Sequence, residues 1–135
     1  MHINWLRVLG GGFLIEVVLF VVLLGGFAAA GIDLAAGIST LSAIVIGAGC
    51  FAAAFVVAAW LTRGIDGHRT LNGFLMGVVA TLLYVGIVAA SGMAAALAAY
   101  GPATFVIVNG VRVVGALLGG MVSERRVSAA PQQAL

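Results

Sequence analysis

Four apolar stretches dominate this chain, each close to the ~20 residues of helix that cross a hydrocarbon layer about 30 Å thick. They run from about residues 8 to 30, 40 to 61, 73 to 91 and 102 to 122. Only two charged residues, Glu16 and Arg112, stand inside them. A soluble fold of this length has too little interior to hide so much apolar surface, so the expected solvent is lipid.

The rest of the composition agrees. Of 135 residues 64% are hydrophobic and 7% charged, against about 25% charged in a soluble domain. The sequence therefore predicts an all-α integral membrane protein, a four-helix bundle forming one domain over residues 1–127. The polar tail 128–135 is expected to be disordered. The first run exceeds a signal-peptide core and carries a carboxylate, so it reads as a retained helix rather than a cleaved leader. All six basic residues are arginine. With the Ala, Gly and Val bias, this points to a GC-rich bacterial source and to the bacterial cytoplasmic (inner) membrane, crossed several times.

Charge placement sets the orientation. Arg7 precedes the first run, Arg63 and Arg69 lie between the second and third, and Arg125 and Arg126 follow the fourth. The two opposite loops contain no arginine. Positive residues mark the cytoplasmic side, so both termini are expected there. The same explanation covers the net charge of +2, which calls for no nucleic-acid partner. Asp33 can cap the second helix, and Pro102 suits the first turn of the fourth. Trp5, Trp60 and Tyr100 fall where interfacial rings sit. The Ala-rich segment from Gly92 to Tyr100 either prolongs the third helix or lies along the outer surface.

Few residues carry chemistry. Cys50 is the only cysteine, deep in an apolar run, and reads as a small hydrophobe. His2 and His68 both fall at the cytoplasmic boundary, and only Asp66 lies near His68. That spacing makes neither a metal site nor a haem site. The glycines at positions 10–12 precede no βα unit and are not a dinucleotide fingerprint. The expectation is a non-enzyme without cofactor or metal.

Three patterns remain. A shift of 62 residues lays Arg7 on Arg69, Leu9 on Leu71, Gly11 on Gly73 and Arg63 on Arg125, the mark of a parallel repeat or of a shared need for cytoplasmic arginines. Small residues recur at helical spacing: Gly73 and Gly77 in the third run, Gly115 and Gly119 in the fourth, Ala54 and Ala58 in the second. Such faces bring membrane helices together, either inside the bundle or between copies. Finally, counting helix rise, Glu16 lies about 14 Å and Arg112 about 20 Å from the cytoplasmic side. Both are near mid-membrane, where each charge costs about 2.5–3.5 kcal/mol. Glu16 is the one acidic residue at the depth of Arg112, and Asn109 lies one turn from it. The two charges read as an ion pair pinning the first helix to the fourth. The other reading makes Glu16 a proton or cation carrier, with Arg112 tuning it.

The stretch Leu9-Gly-Gly-Gly-Phe-Leu-Ile-Glu16-Val-Val resembles the first helix of the small multidrug resistance transporters, four-helix proteins with a central glutamate there. That resemblance implies proton-coupled export of cations through Glu16. Arg63-Gly-Ile-Asp-Gly-His-Arg-Thr-Leu-Asn-Gly73, then Gly77 and Gly119-Gly120, resembles uncharacterised four-helix bacterial membrane proteins, which implies a topology and no activity. The leading expectation is a structural or accessory protein in the lipid bilayer, packing as a homo-oligomer or in a larger membrane complex. The alternative is a small proton- or cation-coupled transporter.

Overall fold

The computed structural model describes residues 3–31 and 39–128. Asn4 starts the first helix: its side chain accepts from the Arg7 backbone N–H, satisfying one orphan donor of the first turn. Helix α1 then spans Trp5–Ala30 and ends on Gly31, whose left-handed backbone closes the C-cap. Ser39 caps α2, Thr40–Leu61, by accepting from the Ser42 N–H. Asp33, the cap read from the sequence, lies outside the described residues. A 3₁₀ turn, Thr62–Gly64, leads to α3, Arg69–Tyr100, and α4 covers Pro102–Ser128.

Two helices outrun the apolar stretches that predicted them. α3 begins four residues before Gly73 because Asn72 Nδ2 donates back to the His68 carbonyl and Arg69 Nε to that of Ile65, closing the first turn with side chains. At its other end it passes Ser91, breaks at Gly92 and resumes to Tyr100. The break has φ 130 and ψ 82, open to glycine and costly for other residues. The Ala-rich residues beyond it have the highest helix propensity available. α4 continues past Val122 through Arg125 and Arg126, whose charge suits a helix C-terminus. Ser128, placed in the tail by the sequence reading, belongs to α4. Residues 129–135 lie outside the described residues.

All four helices are long and apolar enough to cross a membrane. They form a ring of contacts in the order α1, α2, α4, α3. α1 lies parallel to α3 and α2 parallel to α4, while α1 and α4 stand at opposite corners. The Arg-rich ends of all four helices gather at one end of the bundle, where Asn4 N–H donates to Asn72 Oδ1 and Arg7 Nη1 to the Leu61 carbonyl at the end of α2. The starts of α2 and α4, Thr40 and Pro102, are 62 positions apart, the offset read from the arginines, while those of α1 and α3, Trp5 and Arg69, are 64 apart.

Small residues set the spacing. A Cβ on Gly73 would sit 2.6 Å from the Ala116 carbonyl, and one on Gly77 2.9 Å from Val113 Cα. On the other side of α4, a Cβ on Gly115 would meet the Phe51 carbonyl at 2.7 Å, and one on Gly119 would collide with that of Phe55. The four glycines therefore let α4 seat against α3 and α2 at backbone contact. Gly12, not read from the sequence as a packing residue, lets α1 close on Val79 and Ala80 of α3, and Gly11 leaves room for the Met76 side chain.

Two apolar clusters fill the interior. One, toward the Arg-rich end, joins Val8, Ile15, Ala54, Val57, Met76, Ala80 and Ala116. The other, toward the Arg-free end, joins Leu19, Ile46, Cys50, Ala53 and Val108.

Candidate functional site

Between the two apolar clusters lies a polar layer centred on Arg112. Its guanidinium crosses the bundle from α4 to α1, where Nη1 meets Glu16 Oε1 at 3.2 Å. This contact is electrostatic: Oε1 has no aligned hydrogen-bond donor among the described residues. Arg112 Nη1 also donates to Asn109 Oδ1 at 3.3 Å, one turn back on the same helix. Asn109 is itself held by donating Nδ2 to the Phe105 carbonyl. The Tyr84 ring of α3 lies beneath the guanidinium, its centroid 4.8 Å from Cζ, at the distance of a cation–π contact. Cys50 Sγ of α2 lies 3.7 Å from Nη2. All four helices thus contribute one side chain or more to the environment of a single cation.

Burial is unequal across the pair. The side chain of Arg112 is 1% exposed and that of Glu16 18%. In a low-dielectric interior a guanidinium needs both a counter-charge and acceptors for its five N–H groups. Glu16 supplies the charge, Tyr84 a polarisable face, and Asn109 and Cys50 accept hydrogen bonds. Nε is left without an acceptor among the described residues.

Beside this layer, toward the Arg-free end, is a partly open cavity of about 140 Å³. Its walls are Leu19, Leu23 and Phe27 of α1, Ile46 of α2, and Phe105 and Val108 of α4, with Thr104 at the start of α4. Cys50, Tyr84, Asn109 and Arg112 supply its polar wall, and Glu16 is not among the lining residues. The Tyr84 and Phe105 rings stand 5.8 Å apart on one side.

Glu16, Arg112 and Asn109 therefore share one layer. Gly73, Gly77, Gly115 and Gly119 are spent on contacts within the bundle, between it and the Arg-rich end. The sequence reading left Cys50 as an inert hydrophobe, and the structure sets it against the guanidinium. Its signal was the 62-residue offset, which maps Cys50 onto Arg112 on two parallel helices in contact. Tyr84 lies on α3 two turns beyond Gly77, at helical spacing from it.

A second polar group sits at the Arg-rich end. Glu124 accepts from the Thr70 N–H at 3.1 Å and from the Thr70 hydroxyl, tying the end of α4 to the start of α3. These hydrogen bonds hold its carboxyl below the usual carboxylate value. Among the described residues no three His, Cys, Asp or Glu side chains converge as metal ligands would. No family model matches the chain, and no curated protein or solved structure is similar to it.

Proposed function

We propose that this chain is a multi-pass protein of the bacterial cytoplasmic membrane, both termini cytoplasmic, with a structural or accessory role in a homo-oligomer or a larger membrane complex. The observation that carries the role is where the two intramembrane charges point. Arg112 spends its charge on Glu16 across the bundle diagonal, and the cavity is walled by Arg112 and not by Glu16. A carboxylate coupling protons to cargo needs to meet that cargo, and a guanidinium wall repels cations. The pair instead joins helices that otherwise stand at opposite corners. The surface the bundle offers to partners is its apolar exterior, broadest on α1, where Leu6, Leu9, Phe13, Phe20 and Leu24 are exposed.

The orientation rests on the five arginines grouped at one end of the bundle. The test of the role is a double-mutant cycle on Glu16→Gln and Arg112→Gln, read as thermal stability and folded yield in a mild detergent. Removing one partner of a buried pair costs about 3–5 kcal/mol in soluble proteins, because the other charge is left unpaired. Each single change is therefore expected to destabilise strongly and the double change to recover much of the loss. Two stable single variants without coupling would overturn the clasp.

One observation favours the second reading. Glu16 is partly exposed while Arg112 is sealed, so a proton has a shorter route to the carboxylate than to its partner. Together with the resemblance of its surroundings to the first helix of the small multidrug resistance transporters, this keeps proton-coupled transport as the alternative. Its assay is proton flux driven by a cationic dye in proteoliposomes, lost in Glu16→Gln.

A further inference from the structure

We infer that the cavity beside Arg112 is a binding site for a neutral, lipid-soluble molecule with one six-membered ring and a carbonyl oxygen. The inference is independent of the accessory role and rests on the cavity's size, charge balance and hydrogen-bonding capacity.

Size comes first. A dry cavity of about 150 Å³ lined by Leu, Ile and Phe takes up benzene. The space here, about 140 Å³ and walled largely by Leu19, Leu23, Phe27, Ile46, Phe105 and Val108, matches one ring. The Tyr84 and Phe105 rings on one side offer an aromatic surface.

Charge selects within that size class. The one cation on the wall, Arg112, already holds its counter-ion at 3.2 Å. An anionic guest would have to displace a carboxylate tethered to the neighbouring helix. A cationic guest would face the guanidinium. A neutral guest meets neither obstacle.

Hydrogen bonding selects the functional group. Asn109, on the cavity wall, has one amide hydrogen in use and a second in reserve. The polar wall is thus short of acceptors. A guest that supplies a single acceptor satisfies a donor that is expensive to leave unmade. A carbonyl oxygen is the compact neutral group that does so, and the apolar walls fit the rest of the molecule.

The experiment uses the full chain in detergent micelles, with ¹⁹F NMR reading three probes: 4-fluoroacetophenone, fluorobenzene and 4-fluorobenzoate. Protein-free micelles give the partition baseline. The ketone is expected to bind saturably and about tenfold more tightly than fluorobenzene, the factor that ~1.4 kcal/mol provides. The benzoate is expected to bind more weakly than the ketone. Val108→Phe fills the cavity and removes no polar atom, and it is expected to abolish saturable ketone binding while helical content and gel-filtration profile hold. Leu118→Phe, a bulk increase at an exposed α4 position outside the cavity, is expected to bind as wild type, and it shows whether added volume alone disturbs the bundle. Absence of saturation, equal affinity for ketone and fluorobenzene, tighter binding of the benzoate, or unchanged binding in a folded Val108→Phe would each overturn the inference.

Discussion

Arg112 is surrounded by one residue from each helix, and each neighbour solves a different part of the problem of burying a guanidinium. Glu16 neutralises it, Asn109 and Cys50 accept from it, and Tyr84 covers its face. Replacing Asn109 by Leu removes an acceptor and leaves another N–H unpaired. It is expected to lower stability by about 1–3 kcal/mol, measured as thermal unfolding in detergent. Cys50→Ser keeps an acceptor of similar size beside Nη2 and is expected to lie within about 1 kcal/mol of wild type. Glu124 gives a pH-dependent counterpart. Its folded carboxyl titrates below the ordinary value of 4.5, so its contribution is complete above that pH and is lost as pH falls through the lower folded value. Melting temperatures compared at successively lower pH are expected to fall less steeply for Glu124→Gln than for wild type. The encounter of Glu16 with Arg112 was legible in the sequence because helix rise converts residue number into depth, and one acid and one base share that depth. Cys50 and Tyr84 were not, because which way a neutral side chain faces depends on helix rotation, and apolar periodicity is uninformative in helices apolar all round.

Among the helices, α4 makes close approaches on two sides. It touches α3 through Gly73 and Gly77 and α2 through its own Gly115 and Gly119. Gly110 lies on the same helix with open space where a Cβ would stand. Gly119→Ala is therefore expected to cost about 1–3 kcal/mol by forcing α4 off α2, while Gly110→Ala is expected to be neutral or slightly stabilising through helix propensity. Thermal unfolding of the two variants side by side checks this. The break in α3 is the other element-level feature. Gly92→Ala places a side chain at φ 130 and is expected to cost on the order of 1–3 kcal/mol, or to straighten α3, which changes hydrogen exchange from Met93 to Leu97. Existence and order of the four helices were legible from the apolar runs alone. The reach of α3 and α4 beyond them was not, because hydropathy marks where a helix meets lipid, and side-chain caps and alanine propensity decide where it stops.

For the molecule as a whole, the two parallel helix pairs start at similar offsets, α1 and α3 64 residues apart and α2 and α4 62. Their Arg-rich ends converge, and Arg7 donates to the last carbonyl of α2 besides marking a side. A fluorescent protein fused after Leu135 is expected to mature in the bacterial cytoplasm, whereas alkaline phosphatase fused there is expected to stay inactive. The reverse pattern would invert the orientation. The ion pair carries a consequence in time. Glu16 and Arg112 are separated by 96 positions, which a ribosome adding 5–20 residues per second covers in about 5–20 s. Through that interval the first helix holds a carboxylate whose counter-charge has not yet been made, and three helices wait on the fourth. A chain that stalls before α4 has Glu16 without its guanidinium, and α2 and α3 without the helix that seats against both. α4 therefore completes the bundle in packing and in charge at once.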